Sequence, residues 1–431
     1  MANPILANVT LNEAASSAIV CARVTVPGSV LLVTPRWVRD GGVGAHIMAS
    51  AGALAQAGVR VLVLAARIES SEQISGVTVY RSPELFKAHA SLDAKFGEAL
   101  SSRPEVIHLN QLDDPEVVRF LQLRAPVVIS AHGFLACTAG VHYFRPGQEC
   151  QRAHGSGCVP NLVRCAHTRD PRRLPAAYRQ ASRALAALKG ADVAVSYSSA
   201  VDRHLAINGV GRRRVVPYFP TVVPRIGSGH ATRRRVVFGG RVVAPKGVGT
   251  LVRAARHVDG EFVICGDGRQ LPDMRRLARR LGVESRIRFT GWLQPDELAA
   301  QLGDASVVVV PSLWPEPFGL VGIEAFAAGR PVIASATGGI GDWLEDGISG
   351  LSVPPGDARA LAAALNELLA DPERQRAMGM AGRATLLSRF SVEHHTAAVL
   401  DAYRAAGLRW RSECRDASIG LPAHPATAGP P

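Results

Sequence analysis

The sequence predicts an α/β protein with two doubly wound parallel sheets that face each other across a cleft. Three observations predict it. Short apolar runs alternate with helix-like stretches along most of the chain. The order strand, Gly-rich loop, helix occurs near residue 30 and again near residue 235. Between the two lies PTVVPRIGSGHAT (220–232), rich in Pro, Gly, Ser and Thr, which reads as a linker.

Residues 1–28 read as a loosely ordered leader. VLLVTPRWVRDGGVGAHIMASAGALAQAGVRVLVLAA (30–66) reads strand, Gly-rich loop, helix, strand, a βαβ unit that opens a parallel sheet. Strands are expected at VIHLN (106–110), VVIS (127–130), VAVSYS (193–198) and VVPYF (215–219), with helices such as Ala176–Lys189 between them. After the linker, RVVFGGRVVAPKGVGTLVRAARHV (235–258) repeats strand, loop, helix. EFVICGDG, RIRFTGW, VVVVPS, PVIAS and GLSVPP supply further strands. Val392–Arg411 has helical periodicity, and the small, Pro-rich end reads as disordered. Ligands of such sheets bind beyond the carboxyl ends of the strands, so two facing sheets put the site in the cleft.

Composition narrows the function. A length of 431 residues suits about two to three domains with ample core. Mean hydropathy is +0.10, and no apolar run approaches the roughly 20 residues of a membrane span. Ser16–Val33 is interrupted by Arg23, Pro27 and Gly28 and lacks the basic start of a signal peptide, so a cytoplasmic protein is expected. The net charge is +13, with arginine clusters at 212–214, 233–235, 275/276 and 279/280. Nucleic acid, an anionic membrane surface or acidic substrate, and Arg-rich solvated faces are the three readings of this charge. Near an anionic membrane each basic residue is worth about 1 kcal/mol, so several on one face would suffice for peripheral attachment at the inner face. Nucleic acid is not an expected partner, because the basic clusters carry no interleaved aromatics to stack on bases.

The most informative stretch is EPFGLVGIE (316–324), with two glutamates eight positions apart around a helix start. Pro315 and Pro317 keep Glu316 extended. Gly319 allows a tight turn, and LVGIEAFAAG then reads as a helix that ends at Gly329. Free amides at Gly319–Val321 suit a phosphate, with Glu316 before the helix end and Glu324 about one turn inside it. Arg241 and Lys246 in GGRVVAPKG (239–247) stand across one turn and could both reach an anion. Gly42 and Gly44 in DGGVGAHIM (40–48) offer close backbone approach. His132 in VVISAHGF stands just past a strand end. In TGGIGDWLEDGISGLSVPPGD (337–357), Gly338–Gly341 follow a strand and precede an expected helix.

These motifs resemble the retaining glycosyltransferases of family 4, which have the GT-B fold of two Rossmann-like domains. The resemblance covers about residues 30–410 and is strongest over 235–357, where GGRVVAPKG, GDG (266–268), FTGW (289–292), PSLWPEPFGLVGIEAFAAGRPVIAS and GLSVPPGD occur in family order. It implies an acceptor-binding domain over 29–220, a linker over 221–232 and a nucleotide-sugar-binding domain over 233–390. A C-terminal helix over 391–413 would cross back, ahead of a disordered tail over 414–431. It implies that Arg241 and Lys246 bind the donor's diphosphate, that Glu316 holds donor sugar hydroxyls and that Glu324 holds the ribose. Phe318, Gly319, Leu320 and Val321 match the loop that meets sugar and phosphate. Gly42 and Gly44 match the glycine loop that faces the diphosphate, and His132 matches a histidine near the reacting carbon. UDP-, GDP- and ADP-sugars suit these positions alike.

Expected chemistry is retaining transfer of a hexose-type sugar to a hydroxyl acceptor, which could be lipid-linked, in polysaccharide, glycolipid or glycoconjugate synthesis. No cofactor or metal is expected, because Arg241 and Lys246 meet the diphosphate charge. Alternatives are a pyridoxal-phosphate GT-B phosphorylase, for which no lysine motif stands out, and a catalytically degenerate sugar-nucleotide-binding scaffold.

The insert over 137–173 departs from a plain GT-B core. Cys150, Cys158 and Cys165 recur with His154 and His167 among them. Cys150, Cys158, Cys165 and His167 would make a tetrahedral zinc set, although the spacing is not that of a short knuckle. Free thiols, a structural metal or disulfide, and acceptor-site chemistry all remain open. The place of the insert after His132 puts it on the acceptor side.

Overall fold

The structure, a computed structural model, describes residues 27–39, 41–87, 89–137, 143–145, 148–165, 171–222 and 234–416. Nearly all of the leader, most of the linker and the tail from residue 417 on lie outside the described residues.

The first lobe opens with β1 (Ser29–Trp37), α1 (Gly42–Gln56) and β2 (Arg60–Ile68). It continues through β3 (Val77–Arg81), α2 (Leu92–Ser101), β4 (Val106–Asn110), α3 (Pro115–Gln122) and β5 (Val127–Ala131). The insert then carries the antiparallel pair β6 (Tyr143–Arg145) and β7 (Gln148–Glu149) and the single-turn α4 (Leu162–Cys165). The lobe ends with α5 (Leu174–Gly190), β8 (Val193–Ser196), α6 (Ser199–Ile207) and β9 (Arg213–Val215). Its parallel strands lie in the order β3-β2-β1-β4-β5-β8-β9. β4 and β5 are buried at every position, because helices cover both faces. That is why they read as mostly apolar runs.

The second lobe repeats the scheme with β10 (Arg235–Gly239), α7 (Val248–Ala254), β11 (Glu261–Cys265), α8 (Leu271–Arg280), β12 (Ile287–Gly291), α9 (Pro295–Gly303) and β13 (Val307–Val310). It closes with α10 (Leu320–Ala327), β14 (Val332–Ser335), β15 (Gly350–Val353), α11 (Ala358–Leu369) and α12 (Pro372–Arg389). The parallel order is β12-β11-β10-β13-β14-β15. A last helix, α13 (Val392–Asp416), returns to the first lobe and packs on α1, β5, β8 and β9. It buries Val399, Ala402, Tyr403 and Ala406, and its Trp410 Nε1 donates to Gln122 O at 2.7 Å.

Three elements differ from expectation. The strand expected over 215–219 is Arg213–Val215 instead. Pro217 has no N–H to give a ladder, and beyond Val216 the chain leaves the sheet and buries Tyr218 and Phe219 beneath the cleft. In place of an α-helix after Gly338–Gly341 there is a 3₁₀ turn, Gly338–Asp342, because the glycines favour a turn over a helix. β3 was not expected: it is a half-exposed edge strand without an apolar run.

Strand order reverses between β1 and β4 in one sheet and between β10 and β13 in the other. Crevices beyond such switch points hold ligands in open α/β sheets. Here both switch points open onto the same interlobe cleft, of about 1450 Å³.

Candidate active site

The EPFG turn occupies the mouth of the second switch point. Glu316 is 4% exposed, and its carboxylate is fully engaged. Lys246 Nζ donates to Oε1 at 2.7 Å; Ser312 Oγ and Trp314 Nε1 donate to Oε2 at 2.7 and 3.0 Å. Burial alone would raise the acid's pKa; the charge and hydrogen bond of Lys246, with those of Ser312 and Trp314, outweigh it and hold the group below the usual carboxylate range. Glu316 therefore stays ionised.

Lys246 reaches Glu316 because of the residue after it. Gly247 adopts φ 68°, and a Cβ there would lie 1.8 Å from Pro311 O. The loop of the first switch strand can lie against the β13 loop only with glycine at this position. Gly247→Ala should therefore lower the melting free energy by about 2 kcal/mol or more and weaken anion binding, as read by thermal melts with and without nucleotide. A variant as stable as the parent would contradict this account of the turn. Arg241 lines the cleft beside this pair; it is exposed and has no hydrogen-bond or ion-pair partner among the described residues.

Past Glu316, Phe318 is buried against Tyr218 and Phe390, and its carbonyl accepts from Trp343 Nε1 at 2.7 Å. Its side chain anchors the turn, and the residue also lines the cleft. Gly319, at φ 89°, caps the start of α10, and the amides of Leu320 and Val321 have no partner among the described residues. Glu324 lies one turn inside and is buried. Thr221 Oγ1 donates to it at 3.2 Å, and backbone groups of Thr221 and Val222 add hydrogen bonds.

Burial dominates at Glu324 and pushes its pKa up to about 7, against the pull of those hydrogen bonds. Ribose hydroxyls donate best to the ionised form, which fills as pH rises through that value. Affinity for a nucleotide sugar, whose diphosphate diester does not titrate here, should rise up to about tenfold from pH 6 to pH 8. Glu324→Gln should flatten the profile. Titration calorimetry at the two pH values checks it; an unchanged slope in the variant would refute the assignment.

The first lobe supplies the opposite wall. Gly42 begins α1, and a Cβ on it would come within 3.0 Å of Leu320 Cδ1, so the glycine loop and the EPFG turn nearly touch. Gly44 also lines the cleft, and a Cβ there would meet Val38 Cγ1 at 2.7 Å, so glycine lets α1 pack against the residue that follows β1. His132 follows β5 and lines the cleft, and Gly133 lies next to Pro317. His132 Nε2 lies 3.0 Å from Asn110 Oδ1, which can only accept; Nδ1 then accepts from Tyr218 OH at 2.8 Å. Burial, then the neighbouring His108 and His395, lower its pKa to about 3. Neutral and bonded at both nitrogens, His132 is a fixed ring rather than a proton carrier.

The lobes meet around this site. Ser199 N–H donates to Asp342 Oδ2 at 2.7 Å, and Gly338 N–H donates to Glu149 of the insert at 3.0 Å. Cys150, Cys158 and Cys165 carry free thiols. Burial, then the nearby Cys150 and Cys158, raise the pKa of Cys165. His167, fourth in the expected zinc set, lies outside the described residues. Among the described residues no three His, Cys, Asp or Glu side chains are placed to hold a metal. No described helix is long and apolar enough to cross a membrane.

The structure thus brings Gly42, Gly44, His132, Arg241, Lys246, Glu316, Phe318, Gly319, Leu320, Val321 and Glu324 to one cleft. Sequence reasoning missed Asn110, Tyr218, Thr221, Ser312 and Trp314, which hold the site residues in place. Ser312 and Trp314 sit inside the PSLWPEPFG motif; the other three carry no local signal.

Two family descriptions match the chain in tandem. Residues 40–218 match Glycosyltransferase Family 4, and residues 227–385 match Glycosyl transferases group 1. The chain belongs to glycosyltransferase family 4. Its two sheets have the GT-B arrangement of the solved members. Sucrose-phosphate synthase from Thermosynechococcus elongatus superposes with a TM-score of 0.66 at 25% identity, covering 87% of this chain and 98% of that one. Anabaena HepE in complex with UDP-glucose superposes with a TM-score of 0.63 at 18% identity, covering 86% and 98%. The lipopolysaccharide core biosynthesis glycosyltransferase LpsE of Rhizobium meliloti is 36% identical over 165 residues, 38% of this chain and 46% of LpsE. This chain therefore matches somewhat less than half the length of that relative.

Proposed function

We propose that the chain is a retaining glycosyltransferase that moves a hexose-type sugar from a nucleotide diphosphate sugar to a hydroxyl acceptor. The observation that carries the reading is the Lys246–Glu316 pair at 2.7 Å, with Arg241 in the same cleft and the end of α10 beyond. The ammonium of Lys246 has three donors, so it can keep Glu316 and also take a phosphate oxygen. A donor laid along the turn has its ribose at Glu324, its diphosphate between Arg241, Lys246 and the α10 amides, and its sugar hydroxyls at Glu316. The reacting carbon then faces His132 and the first lobe.

In this reading the acceptor oxygen bonds to C1 on the face from which the diphosphate leaves. The C1–O bond to phosphate breaks, and the departing phosphate oxygen takes the acceptor proton. Arg241 and Lys246 stabilise the charge that builds on the diphosphate. Glu316 is pinned by Lys246, Ser312 and Trp314, which suits a hydroxyl ligand better than a nucleophile. The two cations supply the charge that a divalent ion supplies elsewhere, so turnover should be unchanged by EDTA. A lipid-linked acceptor, reached from the inner face of a membrane, is supported by the net charge of +13 and by the lipopolysaccharide role in LpsE's name.

A thermal-shift panel of UDP, GDP, ADP and their sugars tests the donor site. The matching nucleotide at 100 times its Kd should stabilise the protein by about 2.7 kcal/mol. No shift with any of them would count against the donor assignment.

A further inference from the structure

A second hollow, of about 510 Å³, lies in the first lobe between the β4–α3 loop and α5. Its walls are unlike those of a packing defect. Phe86 stands in it 47% exposed, a bare aromatic face at the surface. Arg179 lines it with no hydrogen-bond or ion-pair partner among the described residues, while its neighbour Arg183 is tied to Asp114 at 2.7 Å. Asp113 lines it and makes no ion pair among the described residues, and burial raises its pKa. The amides of Gln111 and Gln180 complete it.

Gln111 joins this hollow to the main cleft. It lines both, directly after Asn110, which holds His132. Its φ of 59° is in the left-handed region that a non-glycine residue rarely adopts, and such strain collects at functional sites. The turn leaves one amide side chain between the two spaces.

We propose that this hollow is a saccharide subsite that receives a sugar ring of the acceptor beyond the ring that reacts. An aromatic face takes the C–H face of a pyranose, as the negative ring face favours. A carboxylate, two amides and the Arg179 guanidinium supply acceptors and donors for its hydroxyls. Gln111 marks the path from the subsite to the reacting hydroxyl. The inference rests on the transferase reading for the name acceptor; the binding of a saccharide here does not depend on it.

The test is an array of immobilised oligosaccharides probed with the full chain, its Phe86→Ala and Arg179→Ala variants, and Gln180→Ala as a third. Donor hydrolysis is followed in parallel with the nucleotide sugar that stabilises the parent. The parent should bind at least one saccharide of two or more rings. Each variant should bind it tenfold or more weaker, with an unchanged melt and donor hydrolysis within twofold. The subsite is overturned if the parent binds no saccharide, or if all three variants bind as the parent does. Variant-sensitive saccharide binding by a parent that hydrolyses no nucleotide sugar would leave the subsite standing and strike the transferase reading instead.

Discussion

Glu316→Ala should lower turnover of the nucleotide-sugar donor by about 1000-fold, or about 4 kcal/mol of transition-state stabilisation. The change removes the sugar ligand and also strands Lys246, whose ammonium loses its 2.7 Å partner. Part of the loss should therefore appear as a lower melting temperature. Glu316→Gln separates the two effects, because it keeps the shape and an acceptor for Ser312 and Trp314. Steady-state kinetics on both variants, with melts as controls, checks this. A folded Glu316→Ala protein within tenfold of the parent in kcat would show that this carboxylate does not bind the reacting donor.

Lys246→Ala and Arg241→Ala should act differently although both remove a cation from the diphosphate. Each should cost about 1.5–3 kcal/mol in kcat/KM, the worth of a charged hydrogen bond. Lys246→Ala should also destabilise the fold by about 3 kcal/mol, because Glu316 is left buried and ionised with no counter-charge. Arg241 is exposed and has no partner among the described residues, so its removal should leave the melt unchanged. Adding Glu316→Gln to Lys246→Ala should restore much of the lost stability, a coupling that a double-mutant cycle reads directly. Additive melts for Lys246 and Glu316 would mean that the ion pair contributes little.

Much of the fold was legible because its strands are buried on both faces. VVVV is apolar throughout and VIHLN and VVIS are mostly so, with His108, Asn110 and Ser130 as their polar exceptions, and Gly-rich loops punctuate them in a way only a few topologies allow. The EPFG turn was legible for a related reason. Two prolines and a glycine leave the backbone little choice, so Glu316 and Glu324 could be placed around a helix start before any packing was known. What stayed hidden depends on distance along the chain. Tyr218 reaches His132 only because Pro217 breaks β9, and Thr221 meets Glu324 only because the chain then crosses the cleft. α13 carries Tyr403 OH to within 2.8 Å of His108 Nδ1 across 295 positions, and His395 to Pro217 O at 2.8 Å. No local pattern encodes such meetings. Gly44 is a milder case: it lies in the expected loop, yet its bare Cα faces Val38.

The claim that ties these observations together is that Arg241, Lys246, Glu316 and Glu324 form one donor site. The most direct measurement is release of nucleoside diphosphate from a panel of UDP-, GDP- and ADP-sugars, followed by chromatography with and without hydroxyl acceptors. The account predicts release from one nucleotide class, faster with acceptor and about 1000-fold slower in Glu316→Ala. Release from none of them by the folded parent protein, or equal release by parent and variant, would contradict it.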